Sequence, residues 1–144
     1  MNGYRGTPEP ELALELRDHP CVFFARHYEE VIGFATAGET APEGYIQEYS
    51  IPDGLRLLDL ATDVRIVEEF AGRVLKEHEM RKLLHYPSKK WIRFVKRRGF
   101  QGISGDDYVC LFDVSPARLL RRWKLEYDEG QRGYMTYLLD GKSD

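Results

Sequence analysis

The chain has few cysteines and no long apolar run. Its 144 residues include two cysteines, Cys21 and Cys110, and each lies inside a short apolar segment. This setting indicates a reduced, buried pair of thiols rather than the disulfide framework of a small secreted protein. No stretch approaches the roughly 18 consecutive apolar residues of a membrane-spanning helix, and the N-terminus lacks the apolar region of a secretory signal. We therefore expect a cytoplasmic protein that does not contact membranes.

Several common catalytic motifs are also absent. No glycine-rich phosphate loop follows a predicted strand, and the nucleophile motif G-x-S-x-G does not occur. No Cys-x-x-Cys or His-x-x-x-His spacing exists, and His78 and His85 have no carboxylate placed to complete a metal site. The sequence therefore predicts no metal site and disfavours the usual hydrolases and metalloenzymes.

The charge is unevenly distributed, although the net charge is only −3. Residues 1–87 hold nine Lys and Arg against sixteen Asp and Glu, whereas residues 88–124 hold ten against three. A basic block in an acidic chain indicates either an anionic partner or packing against the acidic face of the chain itself. Charge alone does not separate the two.

The pattern along the chain predicts one α+β domain over residues 1–144 with a mostly antiparallel sheet. Apolar content of 42% and charged content of 31% are typical of a globular domain. We predict strands over 2–6, 21–25, 44–51, 55–60, 100–104, 107–114, 121–128 and 133–139, and helices over 8–19, 27–37, 63–84 and 88–98. Ser88 is expected to cap the last helix. In that helix Trp91, Ile92 and Val95 share one side, so Trp91 is expected in the core.

Three separated segments form a pattern. The first is Tyr4-Arg5-Gly6-Thr7. The second is Phe23-Phe24-Ala25, with Phe34-Ala35 nine residues after it. The third is G-F-Q-G-I over 99–103, followed by D-Y-V over 107–109. In order and spacing they resemble the ADP-ribosyltransferase superfamily, in particular its small bacterial and phage members. The resemblance covers roughly residues 4–118.

The resemblance implies a fold and an activity. The fold would consist of split antiparallel sheets flanked by helices, with an NAD cleft between them. The activity would be cleavage of NAD, as substrate, at the nicotinamide–ribose bond, with transfer of ADP-ribose to a macromolecular acceptor. A toxin, a defence factor or a phage-encoded modifier would fit these properties, and an antitoxin or inhibitor protein could accompany it.

The resemblance also implies catalytic roles for two residues. Asp107 falls at the position of the family's catalytic glutamate, where a carboxylate stabilises the oxocarbenium-like transition state. Asp106 is expected to point to the opposite face of an extended strand. Arg5 would bind a ribose or a phosphate of NAD through forked hydrogen bonds.

The remaining candidates would line the NAD site. Phe34 would stack on the nicotinamide ring, although an aromatic residue on a helix that faces a sheet is usually core. Gly6 would allow close approach of the nicotinamide amide, and Thr7 would bond the adenosine-side ribose. Tyr4, Phe24 and Ala25 complete the predicted NAD-binding set.

Two other functions stay open on the sequence. The combination of Arg5, Phe34 and Asp107 is a mixed triad, so the chain could be an inactive relative that binds nucleic acid or an acidic protein. It could also be an NAD glycohydrolase without a macromolecular acceptor. Whether the protein is a transferase or a binding module, its partner would contact the basic helix through Lys89, Arg93, Lys96 and Arg97. Four further cations lie nearby in the sequence: Arg118, Arg121, Arg122 and Lys124.

Overall fold

The computed structural model describes residues 1–9 and 21–141. The predicted helix over 8–19 therefore lies almost entirely outside the described residues. Within them the chain forms eight strands of mixed direction and four α-helices, an α+β fold as predicted. The finer expectation of two split sheets around an NAD cleft stays a prediction, as does the single ADP-ribosyltransferase-like domain.

The elements follow one another in this order: β1 Asn2–Thr7, β2 Val22–Ala25, a 3-10 helix Tyr28–Val31, α1 Ile32–Ala35, β3 Glu43–Ser50, β4 Leu57–Asp59, α2 Val64–Ala71, α3 Glu77–His85, α4 Lys89–Arg97, β5 Gly102–Ser104, β6 Tyr108–Leu111, β7 Arg118–Asp128 and β8 Gly133–Asp140. The chain divides into two compact units: one holds the described residues of Met1–Ala13, Phe24–Pro52 and Ser115–Asp144, and the other holds those of Leu14–Phe23 and Asp53–Val114. We call them unit 1 and unit 2.

Unit 1 is an antiparallel sheet with a short helical segment on one face. Its strands pair in the order β2, β1, β3, β7 and β8. The segment formed by the 3-10 helix and α1 packs on β1 and β3. The buried side chains of this unit include Phe24, Ile46 and Leu125. β1 is therefore an inner strand, held by neighbours on both sides.

Unit 2 packs three helices with a small mixed sheet. β4 and β5 run parallel, and β5 and β6 antiparallel. Trp91 is fully buried as predicted: its ring lies 4.9 Å from that of Phe70, and its Nε1 donates to the Leu83 carbonyl at 3.0 Å. The predicted cap of α4 is also confirmed, because Ser88 Oγ accepts from Trp91 N at 3.1 Å.

The prediction of one continuous helix over 63–84 is wrong. The chain forms α2 and α3 instead, with a break after Ala71. Gly72 adopts a φ of 73°, the left-handed conformation that ends helices, and its N–H donates to the Glu68 carbonyl at 2.7 Å. Beyond the break Val74 is 74% exposed rather than buried. The apolar periodicity of the sequence continues across Gly72, so periodicity alone did not reveal that the helix ends there.

The expectation of two free thiols is also wrong. Cys21 and Cys110 form a disulfide, with their Cα atoms 5.8 Å apart, inside the range that such bonds require. Both side chains are buried, as expected. The two residues are 89 positions apart in sequence, so only the arrangement of the strands brings them together.

None of the helices in residues 1–9 and 21–141 is both long enough and apolar enough to cross a bilayer.

The left-handed backbone at Gly72 generates a stability prediction. Gly72→Ala is expected to lower the free energy of unfolding by about 1 kcal/mol, because a Cβ disfavours this conformation. The measurement is urea unfolding followed by circular dichroism. Gly54→Ala is the matched control, since Gly54 has open space around it and lies outside the left-handed region. Equal effects of the two substitutions would contradict the assignment of Gly72 as the helix stop.

Candidate functional site

The Tyr4-Arg5-Gly6-Thr7 segment occupies the second half of β1. Tyr4 lies opposite Ala25 of β2, and Arg5 lies opposite Gln47 of β3. Because side chains alternate along a strand, Arg5 and Thr7 lie on one face of the sheet, and Tyr4 and Gly6 lie on the other. The segment therefore presents two different surfaces.

Arg5 is a half-buried cation without a counter-charge among the described residues. Its guanidinium carbon lies 5.9 Å from the centre of the Phe24 ring. The guanidinium has no hydrogen bond or ion pair to any residue within 1–9 and 21–141. Burial lowers the pKa of Arg5 from its usual value, an effect that the nearby Tyr49 phenol partly offsets. Within the described residues the charge of Arg5 is therefore not matched by a carboxylate.

Gln47 and Tyr49 form the buried polar floor beside Arg5. The Tyr49 hydroxyl donates to Gln47 Oε1, and both side chains are buried. Burial raises the pKa of Tyr49, while the charges of Arg5 and Arg122 act in the opposite direction. Sequence reasoning missed these two residues, although the aromatic and polar residues of the segment 44–51 were visible.

Gly6 and Thr7 already have structural roles. A Cβ built at Gly6 would lie 2.5 Å from the Val31 carbonyl oxygen, so the missing side chain admits the helical segment. The hydroxyl oxygen of Thr7 accepts a hydrogen bond from the backbone N–H of Glu9 at 3.1 Å. The predicted contacts of these two residues with NAD stay predictions.

On the opposite face Tyr4 begins an aromatic cluster. The Tyr4 ring packs edge-on against Tyr28 at 6.1 Å, and Tyr28 packs against Trp123 at 5.5 Å. Burial is the main cause that raises the pKa of Tyr4, with the charge of Glu48 second. The buried hydroxyl of Tyr28 has no hydrogen-bond partner among the described residues.

Phe34 lies on the outer side of α1 rather than in the core. Its side chain is 61% exposed, whereas that of its neighbour Ala35 is fully buried. The ring makes no aromatic contact in the part of the chain that the structure describes. The ring of Phe34 is therefore accessible, as a stacking role requires.

Asp107 lines a cavity of about 470 Å³ in unit 2. The walls come from the end of β4, from α3 and from the segment before β6. Their polar side chains include Asp59, Arg81, His85, Asp106, Asp107 and Tyr108. Asp106 and Asp107 both line the cavity, and the expectation that they point to opposite faces required an extended strand. Residues 105–107 form a bend rather than a strand, and strand alternation does not apply to them.

The polar groups of the cavity divide into paired and free ones. Arg81 is bonded to Glu77 at 2.9 Å, and the His85 ring packs edge-on against Tyr108 at 5.3 Å. Asp59 Oδ1 accepts from Ala61 N at 2.8 Å. The carboxylates of Asp106 and Asp107 are exposed and have no partner among the described residues. Two free carboxylates therefore face a cavity large enough for a small organic group.

The predicted site residues fall into both units. Arg5, Phe24 and Phe34 belong to unit 1, and Asp107 belongs to unit 2. Within unit 1 the fold brings Tyr4, Arg5, Phe24 and Ala25 together on neighbouring strands. Phe34 is on α1, which packs on the face of the sheet to which Gly6 belongs, whereas Arg5 lies on the other face. That Arg5, Phe34 and Asp107 meet around one dinucleotide stays a prediction. Sequence reasoning missed Asp59 and His85, which carry no motif of their own.

The basic block over 88–124 separates into two parts. On β7 most of the charge is matched within unit 1: Arg121 lies 3.3 Å from Glu48, Arg122 is paired with Asp140, and Lys124 lies 2.8 Å from both Glu43 and Glu126. The bond to Glu126, and then that to Glu43, raises the pKa of Lys124. For these three cations, packing against the chain's own acidic side chains is the correct interpretation.

On α4 the charge is unmatched. Lys89, Lys90, Arg93 and Arg97 are exposed and have no ion pair among the described residues. Arg98 is the exception, since it is paired with Glu69. Lys96 lies over the Phe112 ring at 5.7 Å. The basic part of the chain that is free to meet an anionic partner is therefore the helix.

Comparisons of the chain with protein-family models, curated proteins and solved structures found no match.

The close approach at Gly6 generates a prediction. Gly6→Ala is expected to lower the unfolding free energy by about 1–3 kcal/mol, because the new methyl group must displace the Val31 backbone. Thermal unfolding measures the effect. Gly33→Ala is the control, since nothing lies within 4 Å of a Cβ at Gly33. If Gly6→Ala unfolds like the parent protein, the contact with Val31 does not limit the packing of β1.

Proposed function

We propose that the protein is a mono-ADP-ribosyltransferase, which cleaves NAD and transfers ADP-ribose to a macromolecular acceptor. The observation that carries the proposal is the state of Arg5. A half-buried guanidinium is costly to keep without a counter-charge, and Arg5 has none within residues 1–9 and 21–141. It stands in the Tyr-Arg-Gly-Thr segment, whose sequence resembles the NAD-binding strand of that family. The pyrophosphate of NAD is an anion that a guanidinium fork matches in charge and geometry.

Asp107 supports the second half of the proposal. Its carboxylate is free and borders a cavity. In the proposed reaction the bond between ribose C1′ and the nicotinamide nitrogen breaks, and its electron pair neutralises the pyridinium. Positive charge then develops on C1′ and O4′, where a fixed carboxylate stabilises it. An acceptor nucleophile forms the new bond to C1′ and releases its proton to solvent.

Phe34 supplies the third element of the proposal. The accessible ring of Phe34 provides the flat surface on which a nicotinamide ring stacks. Stacking requires a π face and no hydroxyl, so phenylalanine is sufficient. The sequence resemblance places this residue on the helix after the second strand, and the structure has Phe34 on α1.

A pair of adjacent aspartates provides the test of catalysis. Asp107→Asn is expected to lower nicotinamide release from NAD at least about 100-fold, because the transition-state charge loses its carboxylate. Asp106→Asn removes the same charge from the same cavity and is expected to retain most of the activity. Release of nicotinamide is followed by chromatography, and labelled NAD shows whether ADP-ribose reaches a protein, a nucleic acid or water. A parent protein that leaves NAD intact would overturn the proposal, as would equal losses in the two variants.

Arg5 provides an independent test of NAD binding. Arg5→Gln is expected to raise the KM for NAD about 10-fold or more, through loss of charge-assisted hydrogen bonds. The melting temperature is expected to stay the same or to rise, because the substitution removes an unmatched, half-buried charge. Arg5→Lys keeps the charge without the fork and should give an intermediate KM. A fall in melting temperature with an unchanged KM would assign Arg5 a structural role.

A further inference from the structure

We propose that the outer face of α4 binds single-stranded nucleic acid. The proposal goes beyond the ADP-ribosyltransferase activity and does not depend on it, since it concerns binding in the absence of NAD. The face consists of Lys89, Lys90, Arg93 and Arg97, and we call it the basic stripe.

The helical geometry collects these four cations on one side. At 100° per residue they fall within an arc of about 100°, directly opposite the buried side chains Trp91, Ile92 and Val95. The stripe extends from Lys89 to Arg97, about 12 Å along the helix axis. Because the other side of α4 is fixed in the core of unit 2, the stripe is presented on a rigid support.

The basic stripe is not neutralised by acidic side chains in the part of the chain that the structure describes. None of its four cations has an ion pair within residues 1–9 and 21–141. This differs from β7, where Arg121, Arg122 and Lys124 each have an acidic partner. Four unmatched cations at close spacing repel one another, and a polyanion relieves that repulsion with release of counterions.

The absence of apolar surface favours nucleic acid over a protein partner. Protein interfaces are built around an apolar centre, and within the described residues no exposed large hydrophobic side chain belongs to α4. Contacts with phosphate groups require only positively charged side chains, so the basic stripe is suited to bind the phosphate backbone of a nucleic acid.

Tyr86 favours a single strand over a duplex. It lies three residues before Lys89, its side chain is 83% exposed, and its ring contacts no other ring among the described residues. An exposed aromatic ring beside a cationic track is the arrangement on which unpaired bases stack. In a duplex the bases are already stacked on one another and offer no free face.

The test is fluorescence anisotropy with labelled oligonucleotides of dT and of U, the matching DNA duplex, and polyglutamate, all without NAD. The protein is expected to bind one or both single strands more tightly than the duplex, and the two oligonucleotides distinguish DNA from RNA. Lys89→Gln, Arg93→Gln and Arg97→Gln should each weaken binding and reduce the slope of log affinity against log salt by about 0.7. Arg118→Gln, which removes one exposed charge from unit 1, should change neither the affinity nor the slope of log affinity against log salt.

Tyr86 separates stacking from charge in the same assay. Tyr86→Ala is expected to weaken single-strand binding about 10-fold with no change in the salt slope, and Tyr86→Phe should restore it. The melting temperature of each variant shows that it is folded. The proposal is overturned by absence of binding at low salt, by equal or tighter binding of the duplex or of polyglutamate, or by α4 variants that bind like the parent. Loss of NAD cleavage in the Asp107 experiment leaves these outcomes unchanged, so the two proposals fail separately.

Discussion

Unit 1 depends on a close approach of two backbones. Gly6 on β1 and Gly44 on β3 have no side chains, and the main chain of the helical segment occupies the space that side chains would fill. A Cβ at Gly6 would meet the Val31 carbonyl, and one at Gly44 would meet the Ala35 carbonyl. The two glycines therefore fix α1 on the sheet. With Ala35 held inward, the neighbouring Phe34 points outward, and its ring stays accessible.

The distribution of charge carries the functional argument. Most cations of β7 are matched by acidic side chains, so they contribute to the sheet and offer little to a ligand. Arg5 and the basic stripe are different, because burial or mutual repulsion makes each of them unfavourable without an anion. A chain that is acidic overall thus keeps two separate features suited to phosphate groups, one in each unit.

Local signals in the sequence were sufficient for much of the fold. Ser88 before an amphipathic run predicted α4 and its buried Trp91, and the alternation of aromatic and polar residues predicted β3. The single helix over 63–84 failed because periodicity outweighed one glycine, Gly72, whose conformation decided the outcome. Features that depend on contacts between distant segments could not be predicted from local sequence patterns. The pairing of Cys21 with Cys110, the polar floor of Gln47 and Tyr49, and the place of Asp106 and Asp107 in the wall of one cavity all depend on which segments become neighbours in space.

The disulfide has a consequence for the covalent connectivity of the molecule. It encloses the chain from Cys21 to Cys110, which carries both Phe34 and Asp107, whereas Arg5 precedes the enclosed stretch and β7 and β8 follow it. One peptide-bond cut anywhere inside this ring leaves the pieces linked until the sulfur bridge is reduced. A cut outside the ring, between β1 and Cys21, leaves the arginine-bearing strand without any covalent link to the rest, whether or not the bridge is reduced. Limited digestion with and without a thiol reagent therefore distinguishes nicks on the two sides of Cys21.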